Sequence, residues 1–151
     1  MLSKRAKYAL NALMELARAV EEGPISAAEI AERAHVPAKF LEAILLDLRK
    51  AGMIESRKGR SGGHLLLIPA ERINAAEVFR LFDGAIALVP CATHNYYERC
   101  DECVDEATCG IRQVFLEVRA VTVERLKDAT IADLLDRESR LRKKSAHSRR
   151  T

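Results

Sequence analysis

Residues 26–52 carry the sequence SAAEIAERAHVPAKFLEAILLDLRKAG, and this stretch decides the fold. Ser26 followed by Glu29 predicts a capping box, in which the two side chains each accept a hydrogen bond from a backbone N–H at the start of a helix. A short helix over residues 27–34 is therefore expected. After an interruption, Pro37 suits the first turn of a second helix, because the N–H that proline lacks would have no partner there.

The second helix is predicted over residues 38–51 and is ended by Gly52. A short helix, a tight turn and a longer helix with a polar front predict a helix-turn-helix, which places its second helix in the major groove of DNA. Any pair of packed helices shares this pattern, so DNA binding needs a second sign. The apolar face of the second helix is made by Phe40, Leu41, Ile44, Leu45 and Leu48.

The residues directly after the second helix supply that second sign of DNA binding. Two short strands are predicted over residues 53–57 and 65–68, separated by the tip KGRSGG, residues 58–63. Glycines let the backbone approach another surface closely, and Lys58 or Arg60 on such a tip can enter a minor groove. The tip lacks the strand-to-helix context and the Gly-Lys-Ser/Thr ending of a nucleotide-binding loop. The sequence therefore predicts a winged helix-turn-helix that binds double-stranded DNA.

Four further helices are expected around this unit. Residues 4–20 begin after the capping residue Ser3, and residues 75–83 are expected to bury Val78, Phe79 and Phe82. A long helix over residues 111–128 is apolar on most sides, and a last helix capped by Thr130 should reach residue 142. The long helix places Ile111, Val114, Val118 and Val121 on a seven-residue pattern.

Such a helix must be buried on most sides, and in a short chain the simplest partner is its twin in a second copy. A central helix within one subunit is the alternative. The predicted fold is thus mainly α, a winged helix-turn-helix with a two-stranded wing and a long C-terminal dimerisation helix. Its parts are the winged unit (1–84), a cysteine-rich sensor loop (85–110), the dimerisation helix with a short terminal helix (111–142), and a basic disordered tail (143–151).

All four cysteines of the chain lie in the acidic loop: Cys91, Cys100, Cys103 and Cys109. The spacing of Cys100 and Cys103 lets two sulfurs share a metal, and the other two can complete a four-sulfur set. Thiolates select zinc, copper(I) or iron–sulfur clusters. Five neighbouring acidic residues disfavour four free thiolates, and a metal cation or cluster would offset that cost. The spacing favours zinc and an iron–sulfur cluster equally, and a thiol/disulfide switch is the third interpretation.

Charge is unevenly distributed, although the whole chain carries only +3. Residues 33–64 contain seven basic and three acidic residues, a net +4, whereas residues 90–109 contain one basic and five acidic residues, a net −4. Residues 137–151 contain seven basic residues and one acidic residue, a net +6. Basic regions that flank an acidic loop suggest a polyanion partner for the ends, although ordinary solvated surface charge gives the same counts.

The composition, with 48% apolar and 31% charged residues, is that of a globular protein. No apolar run approaches the roughly 18 residues that a membrane span needs, and the first residues lead into an amphipathic helix and not a signal peptide. We therefore expect a cytoplasmic protein with no membrane partner, in which clustered cysteines bind metal more often than they form disulfides. No Ser/His/Asp set or thioredoxin-like dithiol context indicates an enzyme.

The chain resembles the IscR/NsrR-type family of bacterial winged-helix transcription regulators over residues 2–135. The segments that carry the resemblance are IAER (30–33), FLEAIL (40–45), LRKAG (48–52) and KGRSGGHLL (58–66). The resemblance implies a dimer that commonly senses through an iron–sulfur cluster, of 2Fe–2S or 4Fe–4S type. In this chain the gaps between the cysteines are eight, two and five residues, which departs from the even spacing of the cluster-binding members. Other relatives lack a cluster and respond through a thiol or a protein partner.

The resemblance also assigns the DNA contacts. Residues matching Pro37, Lys39 and Glu42 read the major groove, and the residue matching Lys58 enters the minor groove. Pro37 and Lys39 differ from the polar pair found in well-known members, and Lys58 stands where arginine is common, which keeps the charge but loses the planar fork.

The resulting hypothesis is a homodimeric repressor, or dual regulator, that binds a pseudo-palindromic operator. Lys39 is expected to contact guanine and Glu42 cytosine. The rivals are a winged-helix regulator with a structural zinc and a small iron–sulfur redox or scaffold protein. The side chains expected to position the protein on the DNA backbone or in the minor groove are Arg49, Arg57, Lys58 and Arg60.

Overall fold

The computed structural model describes residues 3–148. Short 3₁₀ turns lie at Ala70–Arg72 and Pro90–Ala92. The fold class predicted from the sequence, mainly helical with one two-stranded sheet and long C-terminal helices, is confirmed. In order, the helices and strands are α1 (Lys4–Arg18), α2 (Ala27–Arg33), α3 (Ala38–Lys50), β1 (Ile54–Arg57), β2 (Gly63–Leu66), α4 (Ala75–Asp83), α5 (Gly110–Asp128) and α6 (Ile131–Ser148).

Helix α1 lies at the centre of the winged unit and contacts α2, α3, α4, α6 and β2. Its N-cap Ser3 accepts a hydrogen bond from the N–H of Ala6, as predicted. Ala6, Ala9 and Ala12 are completely buried, and these small side chains let the neighbouring helices approach closely. Leu13 and the larger residues of α2 and α3 fill the remaining space around them.

The turn between α2 and α3 depends on one residue in the left-handed backbone region. His35 has φ of 52°, and its N–H donates to Glu32 O at 3.2 Å, which ends α2. Pro37 occupies the N-cap position of α3, one residue before the first turn in which it was expected. Ser26 caps α2 as predicted, while the Glu29 carboxylate pairs with Arg33 at 2.6 Å.

The wing is a two-stranded antiparallel sheet in which Ile54 pairs with Leu66 and Arg57 with Gly63. Its second strand begins two residues earlier than predicted. The backbone of this strand pairs on its other edge with Ile25, through hydrogen bonds of 2.8 and 3.0 Å to His64. A Cβ on Gly63 would lie 2.5 Å from the Ile25 oxygen, so this close approach needs glycine.

Three aromatic residues are less buried than the sequence indicates. Phe40 was assigned to the apolar face of α3, but its ring is exposed and lies 6.3 Å from the ring of Tyr8, centroid to centroid. Phe79 and Phe82 of α4 are half-buried, whereas Val78 is fully buried. Helical periodicity identifies a face, but the width of the buried stripe depends on which elements cover it.

Helix α5 has no buried residue. It contacts α4 and the turn Pro90–Ala92 on one side only. Of the four residues on the seven-residue pattern, Ile111 is 71% exposed, Val114 56%, Val118 41% and Val121 59%. In a single chain, then, the helix that was expected to be buried on most sides presents an apolar stripe to solvent.

Helix α6 begins at the predicted cap and runs farther than predicted. Thr130 Oγ1 accepts from the N–H of Asp133 at 3.1 Å, and the Asp133 carboxylate accepts from the N–H of Thr130 at 3.2 Å. The terminal helix was expected to stop near residue 142, and a disordered tail was expected from residue 143. That expectation is wrong for residues 143–148, which continue α6, and its remainder lies outside the described residues. Ion pairs four residues apart, Asp136–Arg140 and Glu138–Arg142, stabilise α6 up to residue 142.

No helix between residues 3 and 148 combines the length and the apolar character needed to cross a lipid bilayer.

Candidate nucleic-acid interface and cysteine loop

The front of α3 faces solvent because the opposite face is anchored in the core. Leu41, Ile44, Leu45 and Leu48 are buried, which leaves the polar positions of the same helix outside. The predicted contact residues Pro37, Lys39, Glu42 and Arg49 are all exposed. The structure thus brings to one helix surface the side chains that were expected to meet DNA.

The Lys39 ammonium is held beside an aromatic ring. Its Nζ atom lies 5.0 Å from the centroid of Phe40, a cation–π arrangement. Phe40 in turn lies beside Tyr8 of α1. The Phe40 ring, exposed on a face whose other apolar residues are buried, therefore supports a cation on the front of the helix. Periodicity did not indicate this role for Phe40.

The wing tip carries two cations without partners. Lys58 and Arg60 are exposed, and in the described part of the chain neither side chain makes a hydrogen bond or an ion pair. Arg57, by contrast, is bound to Glu55 on the same strand, through contacts of 2.9 and 3.0 Å. Of the three predicted wing cations, two are therefore available to an anion and one is already neutralised.

A shallow groove joins α3 to the wing. Its walls include Glu42 and Arg49 from the helix and Ser56 and His64 from the strands. The Ser56 hydroxyl lies 3.0 Å from His64 Nδ1. Burial and, secondly, the positive charge of Arg49 hold the pKa of His64 below its ordinary value. Sequence reasoning missed His64 because a histidine after two glycines has no pattern of its own.

The cysteine loop brings two of its thiols together. Cys91 is buried in the turn Pro90–Ala92, and Cys100 reaches it from the exposed loop. The pKa of the Cys100 thiol is raised, chiefly by its hydrogen bond with Cys91, then by the charge of that sulfur and by burial, with smaller effects of Cys109 and Glu102. Cys91 and Cys109 therefore both lie close enough to act on the Cys100 thiol.

Arg112 connects the two ends of the loop. Its backbone N–H donates to Cys109 Sγ at 3.4 Å, where Cys109 caps α5, and its side-chain Nε donates to the Cys91 carbonyl at 3.1 Å. The sequence carries one signal for this residue, its place three positions after a helix-capping cysteine, but its partner Cys91 is set by the fold.

The backbone of Cys103 is bound on two sides, and its N–H donates to Cys100 O at 3.1 Å. The guanidinium of Arg99 donates to the carbonyl oxygens of Cys103 at 3.0 Å and Val104 at 3.3 Å. Between residues 3 and 148, no three His, Cys, Asp or Glu side chains are gathered closely enough to hold a single metal ion. The four-sulfur set remains a prediction.

The fold and the surface of α3 and its wing define a winged helix-turn-helix DNA-binding protein. Residues 2–137 match the sequence profile of the Rrf2 family, described as an iron-dependent transcriptional regulator. The chain belongs to this family, so the resemblance to IscR-type regulators is confirmed and the protein is a transcriptional regulator.

Similar proteins agree with this assignment. An rrf2-like HTH-type transcriptional regulator of Rhodobacter capsulatus is 45% identical over 138 residues, covering 89% of this chain and 92% of that protein. The structure of CymR, the global cysteine regulator of B. subtilis, has a TM-score of 0.74 and 28% identity, and the match covers 90% of this chain and 96% of that one. The structure of T. potens IscR has a TM-score of 0.72 and 26% identity, with 91% and 88% covered. These relatives are named as regulators and not as enzymes.

We expect the free energy of unfolding to fall as the pH is lowered from about 7 to about 5, because His64 must be protonated on unfolding. The sign follows from its depressed pKa in the folded state: the unfolded chain binds the proton first, so acid favours unfolding. The free energy of unfolding, measured with urea at several pH values, should change less steeply with pH in His64→Gln than in the natural chain. His147→Gln, which replaces an exposed histidine in the last turn of α6, serves as the matched control, and equal slopes in all three proteins would contradict the expectation.

Proposed function

We propose that the protein is a homodimeric transcriptional regulator of the cytoplasm, acting as a repressor, that binds a pseudo-palindromic operator and is controlled through its cysteine loop. The observation that carries this proposal is the outward front of α3 beside the two unpartnered wing cations, Lys58 and Arg60. Membership of a family of transcriptional regulators supports it.

Helix α3 would lie in the major groove with its first turns toward the bases. Lys39 donates to guanine and Glu42 accepts from cytosine, while Pro37 stands at the start of the helix and Arg49 meets a phosphate. Because Glu42 and Arg49 line the same groove as wing residues, one DNA segment would contact both the helix and the wing.

Lys58 and Arg60 would enter the minor groove or meet phosphate, and they position the protein more than they specify sequence. Arg57 has to exchange Glu55 for a phosphate, so it contributes less to the net binding free energy.

Changing Lys58 to Ala should weaken binding to all duplexes by a similar factor and lower the slope of log affinity against log salt by about 1 for each subunit. Duplexes selected from a random library by the natural protein supply the probe, and fluorescence anisotropy at several salt concentrations supplies the affinities. Lys127→Ala removes an exposed lysine of α5, outside both basic regions, as a control. An unchanged salt slope in Lys58→Ala would show that this residue lies outside the interface. Failure of the natural protein to bind any duplex would favour an iron–sulfur redox or scaffold protein instead.

Dimerisation would cover the apolar stripe of α5. Ile111, Val114, Val118 and Val121 lie along one helix of nineteen residues, and this pattern suits pairing with the same helix of a second copy about a two-fold axis. Two recognition helices related in this way would read half-sites about one turn of DNA apart.

Introducing a charge into this stripe with Val121→Glu should convert a dimer into a monomer, because each copy would bury the carboxylate opposite its twin. Val20→Glu is the matched control, since Val20 is also a valine that is 59% exposed but lies outside the stripe. Sedimentation equilibrium measures both. A natural protein that stays monomeric at micromolar concentration, or equal dissociation in the two variants, would contradict the dimer.

Control through the loop would depend on Cys100 and on the two cysteines that act on its thiol, Cys91 and Cys109. Thiolates suit an iron–sulfur cluster, and the family description as iron-dependent supports it. When bound, a 2Fe–2S or 4Fe–4S cluster supplies a redox-sensitive centre whose loss would free the loop.

Arg112 would transmit the state of the loop, because it binds Cys91 with its side chain and Cys109 with its backbone. Cys109 begins α5, the proposed dimer helix. A change in the loop would thus reach the element that spaces the two recognition helices, which is where a difference in affinity between two states can arise.

Protein purified without oxygen should be brown and contain both iron and sulfide. Cys91→Ser, Cys100→Ser and Cys109→Ser should lose most of both, whereas Cys103→Ser, the matched control, should keep them, because Cys103 is not among the cysteines that act on the Cys100 thiol. Elemental analysis and visible absorption measure the contents. Zinc without iron or sulfide would indicate the structural-zinc alternative, and equal loss in Cys103→Ser would restore the four-sulfur set.

A second candidate is a thiol/disulfide switch, which the contact of Cys91 with Cys100 favours. A peroxide would join the two sulfurs with loss of both thiol protons and two electrons, and would itself be reduced to water. A protein free of iron and sulfide that shows a Cys91–Cys100 disulfide by mass spectrometry after peroxide treatment would support this candidate over the cluster.

A further inference from the structure

A small polar cavity lies between the end of α4, the cysteine loop and the middle of α5. Its volume is about 130 Å³, below the 300 Å³ or more typical of sites for drug-sized ligands. The polar side chains of its wall come from all three segments: Arg80, Thr93, His94, Asn95, Tyr96 and Arg119.

The charge of this cavity is one-sided. Two guanidinium groups line it, and no carboxylate does. Within residues 3–148, the side chains of Arg80 and Arg119 make no hydrogen bond or ion pair. The Asp83 carboxylate, one turn along α4, accepts a hydrogen bond from the N–H of Ser3 at 2.9 Å and forms no ion pair with Arg80.

Two unpartnered arginines in a polar recess are suited to an oxyanion. A guanidinium donates two parallel hydrogen bonds to a carboxylate, phosphate or sulfate, and the amide of Asn95 and the hydroxyls of Thr93 and Tyr96 can add further bonds. We propose that this cavity, held between Arg80 and Arg119, binds a compact oxyanion of a few heavy atoms.

The position of the cavity links its ligand to three elements. Thr93 to Tyr96 form its outer wall and lie between Cys91 and Cys100. A Cβ on Gly84 would be 3.5 Å from the Tyr96 ring, which shows how closely this wall packs on the end of α4. A bound anion would thus tie the loop to α4 and α5. Binding itself does not depend on the proposed function, since it needs neither DNA nor a metal.

Thermal unfolding of the full chain with sodium sulfate, against sodium chloride at equal ionic strength, tests the proposal. A site on the native protein raises Tm with the logarithm of (1 + c/Kd), where c is the sulfate concentration, a curve that flattens above Kd, whereas the general salting effect of sulfate rises linearly with its concentration. The background carries Lys58→Ala and Arg60→Ala, so that sulfate on the wing does not contribute. Phosphate and acetate in the same assay distinguish a tetrahedral anion from a carboxylate as the preferred ligand.

Arg80→Gln and Arg119→Gln should each raise the apparent Kd for sulfate, fitted from this logarithmic curve, at least tenfold, whereas Arg72→Gln, which removes an arginine outside the cavity, should leave it unchanged. An equal apparent Kd in all variants, or a strictly linear rise of Tm with all three anions, would overturn the proposal. Should a variant not fold, the NMR chemical shifts of the His94 ring protons in the unmodified protein supply the test. A saturable shift on titration with the anions supports the site, and no shift overturns it.

Discussion

The packing of α1 against its neighbours is the constraint on which the rest of the structure depends. Three alanines of α1 are completely buried, so backbones lie close together and larger side chains would force them apart. This packing fixes the apolar face of α3 inward and therefore its polar front outward. It also places Ile25, just beyond α1, where it pairs with His64 and aligns the wing beside the recognition helix.

The same core joins the C-terminal helices to the winged unit. The Ile131 N–H donates to Ile73 O at 2.8 Å, and Arg18 of α1 pairs with Glu138 of α6. The cysteine loop is held between α4 and α5, with Arg112 binding at both of its ends. A change in this loop is therefore adjacent to the element that follows the wing and to the element that we propose pairs two subunits.

Much of this architecture could be predicted from local chemistry. Ser3, Ser26 and Thr130 cap helices where expected, because capping needs only a side-chain oxygen and the next few N–H groups. Predictions failed where distant residues decide. Gly63 joins the strand because it approaches Ile25. The basic composition after residue 142 suggested disorder, but α6 continues to Ser148.

By itself, then, the sequence determined the order of the elements, the outward cations of α3 and the wing, and the membership of a regulator family, since each depends on periodicity, capping or motif. Only the tertiary structure decided that Cys91 meets Cys100 while Cys103 turns toward Arg99, that Arg57 is neutralised by Glu55, and that Arg80 and Arg119 share one cavity. Spacing along a chain limits how far a side chain reaches, but its direction and partners are set by the packing of segments remote in sequence.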